Sequence, residues 1–260
     1  MLLLIDAGNT RIKWALAAAD AAPGDWLSFG SMTHADLGPF LPSASTAPVS
    51  SITRVLVSNV AGDAFATRLS AVLQDMGVSP SALTVFRAQP ECAGVRNGYA
   101  QPAQLGSDRF ASLIGARHRF PNQRLLVVTC GTATTIDALE ADGRFIGGMI
   151  VPGLGTMAES LALSTALLPS VNEAVRERMF ADNTREAIVS GCLTAQVGAI
   201  LHAMSQRQDP VARCVLSGGA APYIGPHLPI SFDAVDNLVL LGLHASAASA
   251  AFVASVAGAS

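Results

Sequence analysis

The sequence predicts a mixed α/β fold built from two similar halves, residues 1–120 and 121–260. Apolar runs at Leu2–Ile5 and within Arg124–Thr129 are typical of strands buried on both faces. Each run ends in a short glycine-containing turn and is followed by a returning strand and a third strand. Helix and strand units follow in both halves. This repeated order predicts two related halves that face each other across a cleft.

In the first half, the strand Leu2–Ile5 returns as a second strand in which Ile12, Trp14 and Leu16 alternate with polar or small residues. The other elements expected here are a third strand Trp26–Thr33, a short helix or loop Gly38–Ser51, a strand Arg54–Val60, a helix Ala61–Met76 closed by Gly77, a short strand Leu83–Phe86, a loop Gly94–Leu105, and a helix that opens at Gly106 and runs to about Phe120.

The second half begins with the strand Arg124–Thr129, which turns at Cys130-Gly131-Thr132. The elements expected after it are a returning strand Thr134–Ala138, a third strand Arg144–Val151, a helix that starts after Gly153 and Gly155 and runs through Leu167, a long helix Asn183–Gln206, a strand Cys214–Leu216 ending in Ser217-Gly218-Gly219-Ala220, and a carboxyl-terminal helix.

Composition excludes some classes of function. Of the 260 residues, 50% are hydrophobic and 13% are charged, which allows a large buried core. The net charge is −3 and the basic residues are scattered, so nucleic-acid binding has no electrostatic support. The four cysteines show no metal-ligand spacing and are expected to be reduced, buried and cytosolic: Cys92, Cys130, Cys192 and Cys214.

Two segments could be mistaken for membrane signals. The apolar amino terminus is interrupted by Asp6 and has no basic region before it, so we do not expect a signal peptide. The segment Leu238–Ala257 is long enough to span a bilayer. It consists mostly of Ala and Ser with His244 in the middle, which fits a packed helix of a soluble protein better than a membrane span.

The turn after the first strand carries the first candidate chemistry. Asp6 places a carboxylate at the end of a buried strand, where it needs a partner or a cleft. Gly8 permits a positive φ and close approach of a ligand, and Asn9 and Thr10 are short enough to contact a phosphate. The tip could therefore hold a nucleotide phosphate with Asp6 near a magnesium ion. The alternative is an ordinary hairpin whose Asp-Ala-Gly-Asn supplies turn residues.

Four motifs together resemble the type III pantothenate kinases, within the actin-like, sugar-kinase and Hsp70 ATPase superfamily. They span nearly the whole chain and are Asp6-Ala7-Gly8-Asn9-Thr10, Tyr99 with Gly106-Ser107-Asp108-Arg109, Gly131-Thr132-Ala133-Thr134-Thr135-Ile136-Asp137, and Ser217-Gly218-Gly219. Each motif alone is weak, but their order and spacing are specific. The resemblance implies ribonuclease H-like halves. It also implies transfer of the ATP γ-phosphoryl group to the 4′-hydroxyl of pantothenate, the first step of coenzyme A synthesis.

By the same resemblance, both turns would supply backbone N–H groups and hydroxyls to the ATP phosphates. Asp6 would hold Mg²⁺ through water. The Ser217-Gly218-Gly219 turn would lie against adenosine, and its alternative is a plain strand-to-helix turn. The ATP-binding residues expected are Asp6, Ala7, Gly8, Asn9, Thr10, Arg11, Ile12, Lys13, Gly131, Thr132, Ser217, Gly218 and Gly219.

The resemblance also assigns the acceptor side. Asp108 would accept the hydroxyl proton, and its alternative role is a helix N-cap, which Ser107 could serve equally well. Arg109 could bond the substrate or a phosphate, or form a surface ion pair. Tyr99 could form an aromatic wall for pantothenate, or anchor its loop. The substrate-binding residues expected are Tyr99, Gly106, Ser107, Asp108, Arg109 and Thr184, the last beside Asn183 at a helix start that an N-cap would also explain.

Two further expectations come from the family. Most relatives carry an Asp two residues before the Gly of the second turn, which helps bind a monovalent cation; here the residue is Thr129, so K⁺ or NH₄⁺ would bind more weakly. Gly191 and Gly198 share a face of the long helix, in the region that joins two subunits in the family, so a homodimer is expected, with intramolecular packing as the alternative. The five histidines are assigned no role. Competing functions are an ATP-binding regulatory protein and a phosphatase of the same superfamily.

Overall fold

The computed structural model describes residues 1–38, 51–164, 178–207 and 212–249, and it has the mixed α/β architecture expected from the sequence. These residues form two compact units. Unit 1 contains Met1–Asn122, Asp142–Ile146 and the segment that starts at Asn237. Unit 2 contains Gln123–Ala141 and Gly147–Asp236. The carboxyl-terminal helix, expected in the second half, is thus part of unit 1.

The described residues form twelve strands and six α-helices. The strands are β1 (Leu2–Ala7), β2 (Arg11–Ala17), β3 (Ser28–Thr33), β4 (Arg54–Asn59), β5 (Leu83–Phe86), β6 (Glu91–Cys92), β7 (Val95–Asn97), β8 (Leu125–Cys130), β9 (Ala133–Leu139), β10 (Arg144–Pro152), β11 (Arg213–Ser217) and β12 (Phe232–Ala234). The α-helices are α1 (Asp63–Asp75), α2 (Ser107–Arg119), α3 (Leu154–Ser164), α4 (Thr184–Ser205), α5 (Ala221–Ile224) and α6 (Leu238–Ala247).

The main sheet of unit 1 has the strand order β3-β2-β1-β4-β5. β1 pairs antiparallel with β2 and parallel with β4, so it lies at the centre and is buried on both faces. One face packs against α1 through Phe65, Leu69 and Leu73. The apolar run at the amino terminus is therefore the core strand that its composition predicted.

Helices α2 and α6 pack together in unit 1 with their backbones in direct contact. A Cβ added at Gly242 would lie 1.8 Å from the Ala111 carbonyl oxygen, and one added at Gly115 would lie 2.4 Å from the Leu238 carbonyl oxygen. Only glycine permits this approach, because any side chain would overlap backbone atoms. This contact explains why the carboxyl-terminal helix belongs with the first unit, and every residue of α6 is buried.

Unit 2 repeats the strand order of unit 1, as β12-β11-β8-β9-β10. Its central strand β8 pairs antiparallel with β9 and parallel with β11, as β1 does with its neighbours. Helix α4 covers this sheet with Leu193 and Ile200 in the core cluster. The internal repeat that the sequence predicted is thus a repeat of topology.

Some boundaries differ from the sequence-based expectations. The third strand begins at Ser28 instead of Trp26, and the expected loop Gly94–Leu105 contains the short strand β7 and a 3₁₀ turn at Pro102–Gln104. β7 forms because it pairs in parallel with the first residues of β10, a contact that local sequence does not encode. Most of Gly38–Ser51, the end of the helix expected through Leu167 and the end of Leu238–Ala257 lie outside the described residues.

All four cysteines are free and buried, as expected. Among the described residues, α4 has a length and apolar composition that would by themselves allow it to cross a membrane, with 39% of its most apolar window buried. Core helices of soluble proteins have the same composition, so this is weak evidence for a span. The segment Leu238–Ala257, which is long enough to span a bilayer but was expected to be a packed helix, contains a described helix of 10 residues.

Candidate active site

The turn after β1 is closed by its own backbone. The Gly8 N–H donates to the Arg11 carbonyl oxygen at 3.1 Å, which leaves Gly8, Asn9 and Thr10 between the two strands. The expectation of a positive φ at Gly8 was wrong, because Gly8 is not among the glycines with that conformation. Space explains the residue instead: a Cβ at Gly8 would lie 3.2 Å from the Arg11 carbonyl oxygen.

Asp6 has an unusual electrostatic environment at this turn. It is partly buried, and it lies directly opposite Lys13 across the β1–β2 pair. Burial away from water and the nearby Asp108 carboxylate raise the pKa of Asp6 to about 7, and the Lys13 ammonium opposes this rise. Near neutral pH the Asp6 carboxyl therefore exists in both protonation states, and a bound cation would favour the ionised one.

A pair of serines brings Asp108 near Asp6. Ser58 on β4 lies opposite Asp6 in the parallel β1–β4 register, and its Oγ is 2.8 Å from the Ser107 Oγ at the start of α2. Asp108 is the next residue along the helix. Two carboxylates from distant parts of the sequence thus converge within unit 1 at the ends of β1 and α2.

Neither Ser107 nor Asp108 is the N-cap of α2, which was the alternative role considered for both. The N-cap is Gly106, and no side chain makes a capping hydrogen bond. The Asp108 Oδ1 instead accepts from the Arg109 N–H at 2.8 Å. A Cβ at Gly106 would lie 2.7 Å from the Asp108 Oδ1, so glycine leaves room for this carboxylate position.

Arg109 is buried and contacts two aromatic rings, so it is not the surface ion pair that was its alternative role. Its Nη1 donates to the Tyr99 Oη at 2.8 Å, and its Cζ lies 5.6 Å and 5.9 Å from the ring centroids of Tyr99 and Phe145. The two rings are 5.4 Å apart. Arg109 therefore fixes the partly buried Tyr99 ring beside the start of α2. This position is compatible with both roles considered for Tyr99, an anchor of its loop and an aromatic wall of a binding site.

The donor set of unit 1 suits a hard divalent cation that is only partly held by protein. Asp6 and Asp108 are carboxylates, which Mg²⁺ prefers as ligands. Among the described residues no cluster of three or more His, Cys, Asp or Glu side chains exists that could enclose a metal ion. Mg²⁺ keeps several water ligands and also binds phosphate oxygens of the substrate. The site therefore suits Mg²⁺ better than it suits a metal ion that needs all its ligands from protein.

The turn after β8 in unit 2 is shorter, with only Gly131 and Thr132 between the strands. The Gly131 N–H donates to the Ala133 carbonyl oxygen at 3.0 Å. The Thr132 carbonyl oxygen accepts from the Gly153 N–H at 2.9 Å and from the Thr156 Oγ1 at 2.8 Å, which fixes the turn against the start of α3. Thr132 itself is exposed, so its hydroxyl and the turn surface are accessible.

Thr129 occupies the position in β8 that Asp6 occupies in β1, one residue before the end of the strand. Its Oγ1 is buried and has no hydrogen-bond partner in the structure. A buried hydroxyl oxygen without a partner is costly. The atom therefore fits a further ligand, such as a cation that accepts neutral oxygen donors.

The Ser217-Gly218-Gly219 turn ends β11 against the end of β8. Gly218 has a φ of 97°, and a Cβ there would lie 2.2 Å from the Cys130 carbonyl oxygen. The Ala220 N–H donates to the same oxygen at 3.0 Å. The fold therefore requires glycine at Gly218 for its own packing, whereas a Cβ at Gly219 would meet no atom within 4 Å.

At the start of α4, Asn183 is the N-cap, and its side chain accepts from the Glu186 N–H at 3.1 Å. Thr184 is the first residue of the helix and is exposed. Gly191 and Gly198 are exposed on the same helix, and a Cβ at either would meet no atom within 4 Å. Among the described residues, intramolecular packing therefore does not account for these two glycines.

Two contacts at the first turn were missed by the sequence analysis. The Nε2 of His34 lies 2.8 Å from the Gly8 carbonyl oxygen, although no role was assigned to any histidine. Ser58 links β4 to α2, as described above. A polar Ser-Asn pair at the end of the apolar strand Arg54–Asn59 was a signal for Ser58, but the sequence holds none for His34.

Comparison with solved structures identifies the fold. A protein from Sinorhizobium meliloti described as a 2-dehydro-3-deoxygalactonokinase superposes with a TM-score of 0.57 at 16% identity, over 95% of this chain and 98% of that one. At this identity the likeness concerns the fold alone. It is the actin-like fold of ATPases and sugar kinases, as expected.

Sequence relatives identify the family. A type III pantothenate kinase of Janthinobacterium sp. (strain Marseille) is 53% identical over 94% of this chain and 96% of its own length. The type III pantothenate kinase of Herminiimonas arsenicoxydans is 52% identical over the same shares of both chains. The family model for type III pantothenate kinase matches residues 2–206. The chain belongs to the type III pantothenate kinase family.

Proposed function

We propose that this protein transfers the γ-phosphoryl group of ATP to the 4′-hydroxyl of pantothenate, giving 4′-phosphopantothenate and ADP. This would be the first step of coenzyme A biosynthesis. Family membership supports the reaction class. The observation that carries the proposal is the pair of carboxylates, Asp6 and Asp108, whose interaction contributes to raising the pKa of Asp6 to about 7. Such a pair is suited to holding a cation and accepting a proton.

The ATP phosphates would be bound by the turn in each unit. In unit 1, residues 6–13 would contribute backbone N–H groups, the Thr10 hydroxyl and the Lys13 ammonium. In unit 2, Gly131 would allow close approach and Thr132 would contribute its hydroxyl, because the Gly131 N–H already donates to the Ala133 carbonyl oxygen. Gly219 has open space where adenosine could approach. Asp6 would hold Mg²⁺ through water, and the cation would supply neutralisation of the phosphate charge.

Asp108 would act as the base. As the hydroxyl oxygen of pantothenate bonds to the γ-phosphorus, its proton passes to Asp108 and the bond from phosphorus to the bridging oxygen of ADP breaks. The absence of a capping role leaves this carboxylate available.

The acceptor would be bound around the start of α2. Tyr99 would offer a ring fixed by Arg109, while Gly106 and Ser107 form the backbone beside the base. Thr184, exposed in unit 2, is proposed as a further contact by its match to the family motif.

We also propose a weak monovalent cation site at Thr129. Its unpartnered Oγ1 supports the proposal, because K⁺ and NH₄⁺ are compatible with neutral oxygen donors. A hydroxyl carries no full charge, so binding should be weaker than with a carboxylate at this position.

The proposed enzyme is a cytoplasmic homodimer that binds neither nucleic acid nor a membrane. Four free cysteines are consistent with a reducing compartment. The exposed glycines of α4 permit close approach of a second helix, and a mass measurement in solution tests the dimer. A net charge of −3 with scattered basic residues argues against nucleic acid.

The test is an incubation with magnesium and ATP, with and without pantothenate, followed by measurement of ADP and phosphate. ADP formed only with pantothenate supports the kinase. Phosphate released without pantothenate would indicate a phosphatase, and neither product would indicate a regulatory protein.

The matched variant is Asp108→Asn, which keeps the shape of the side chain and removes most of its basicity. Its turnover should fall by about two to four orders of magnitude, while ATP affinity changes little. Turnover close to that of the wild type would exclude Asp108 as the base.

A further inference from the structure

We infer that His34 is a positioning residue for the nucleotide-binding turn, which it orients through the carbonyl of Gly8. This inference rests on the proposed ATP-binding role of residues 6–13. His34 follows directly after β3 and does not belong to any of the four family motifs. Its imidazole Nε2 lies 2.8 Å from the Gly8 carbonyl oxygen. Because a carbonyl oxygen only accepts, Nε2 carries the proton in this contact.

The position of the His34 ring is determined by contacts with several neighbours. The backbone carbonyl oxygen of His34 accepts from the Arg68 Nη2 of α1 at 3.0 Å. The ring stands edge-on to the Phe65 ring, with centroids 5.1 Å apart and planes at 77°. His34 lies in the turn that the Thr33 Oγ1 closes by donating to the Asp36 Oδ2 at 2.6 Å. The ring's own contacts, with Phe65 and with the Gly8 carbonyl oxygen, favour the orientation in which the Nε2–H is directed at Gly8.

This contact sets the direction of the next amide in the turn. No peptide bond in the described residues is cis, so the carbonyl of Gly8 and the N–H of Asn9 point in opposite directions within their shared peptide plane. When His34 holds the carbonyl on one side, the Asn9 N–H must face the other. Asn9 is exposed, and its N–H makes no backbone hydrogen bond with the described residues.

The Asn9 N–H is thus a free donor with a defined direction, as an anion-binding turn requires. Without the His34 contact, the Gly8 carbonyl oxygen would lose its bond to the Nε2 of His34, and the peptide between Gly8 and Asn9 could rotate more freely. The preceding peptide would stay fixed, because the Gly8 N–H donates to the Arg11 carbonyl oxygen at 3.1 Å. ATP binding would then have to order the peptide between Gly8 and Asn9, which weakens affinity without changing the chemical step.

The test compares two substitutions that differ in one hydrogen bond. His34→Leu keeps an apolar side chain against Phe65 but cannot donate to Gly8. His34→Gln carries an amide N–H that can reach the position of the imidazole Nε2. His118→Leu, at an exposed histidine of the same unit, is the matched control.

We expect His34→Leu to raise the KM for ATP and the Kd for a non-hydrolysable ATP analogue by about three- to tenfold, the range for loss of one hydrogen bond. Its kcat and its KM for pantothenate should stay within about twofold of the wild type. His34→Gln should restore ATP affinity to within about twofold, and His118→Leu should match the wild type.

If the wild type is active and His34→Leu binds ATP with the same affinity, the positioning role is overturned and the proposed function is left intact. A parallel loss of kcat and of both KM values, not rescued by His34→Gln, would also overturn it, because a purely structural role produces that pattern. A wild type that neither binds ATP nor phosphorylates pantothenate would overturn both proposals.

Discussion

Replacing Asp6 with Asn should stabilise the nucleotide-free protein while removing its response to magnesium and ATP. Asp6 is partly buried beside Asp108, and its pKa rises from 3.8 to about 7. Because the folded protein holds this proton more tightly than the unfolded chain, the contribution of Asp6 to the unfolding free energy is greatest below pH 3.8 and falls as the pH rises towards 7. Above pH 7 the ionised carboxylate carries its full cost.

The size of the effect follows from the same two pKa values. Their separation of roughly 3 corresponds to about 4 kcal/mol at 1.36 kcal/mol per pKa unit. Water at the partly exposed carboxylate reduces this figure, so we expect a gain of about 2 kcal/mol for Asp6→Asn at pH 8. For a chain of this length the melting temperature should rise by about 4–8 °C.

The assay is thermal unfolding of wild type and Asp6→Asn at pH 4 and pH 8, each with and without magnesium and ATP. The variant should gain stability at pH 8 and little at pH 4, and ligand should raise the melting temperature of the wild type only. Asp20→Asn, at an exposed carboxylate of the same unit, controls for the loss of one negative charge.

Two results would refute this reasoning. A variant no more stable than the wild type at pH 8 would mean that the Asp6 carboxylate carries no cost in the folded protein. A gain of equal size at pH 4 and pH 8 would mean that the substitution acts through packing instead of charge.

The remaining predictions concern the two units separately. In unit 1, Gly106→Ala would place a Cβ 2.7 Å from the Asp108 Oδ1 and push the carboxylate aside, so kcat should fall by tenfold or more in steady-state assays with the fold retained by circular dichroism; an unchanged kcat would show that the position of this carboxylate is not critical. In unit 2, Thr129→Asp should lower the K⁺ concentration for half-maximal activation by about fivefold or more, from a gain of about 1–4 kcal/mol. Equal half-saturation in the two proteins would contradict the proposed cation site.

The fold was largely predictable because its core strands are continuous apolar runs. β1 and β8 are buried at the centres of their sheets, as their composition required. β7 was missed because its three residues of mixed character form a strand through pairing with β6 and β10, which local sequence does not encode. The place of α6 in unit 1 depends on contact with α2 at Gly242, which no periodicity in the helix reveals.

The candidate site was predictable where a motif carries it and unpredictable where a tertiary contact does. Sequence motifs pointed to Asp6 and Asp108, and the structure brings both into unit 1 with an electrostatic interaction between them. The same motifs could not distinguish a base from a helix cap at Asp108. His34 was missed because its partner is a backbone carbonyl, and a backbone partner leaves no trace in the pattern of side chains.

The topological repeat also allows the charge of equivalent residue pairs in the two units to be compared. The same strand position holds Asp6 paired across β1–β2 with Lys13 in unit 1, and Thr129 paired across β8–β9 with Thr135 in unit 2. A charged pair in one unit thus corresponds to a neutral pair in the other. We therefore expect pH dependence near neutral pH and the stronger interaction with a cation to arise at the turn of unit 1, because at this strand position only unit 1 has a carboxylate. The hydroxyl and amide groups of the turn in unit 2 do not titrate near neutral pH, so we expect its contribution to the proposed phosphate binding to be almost independent of pH.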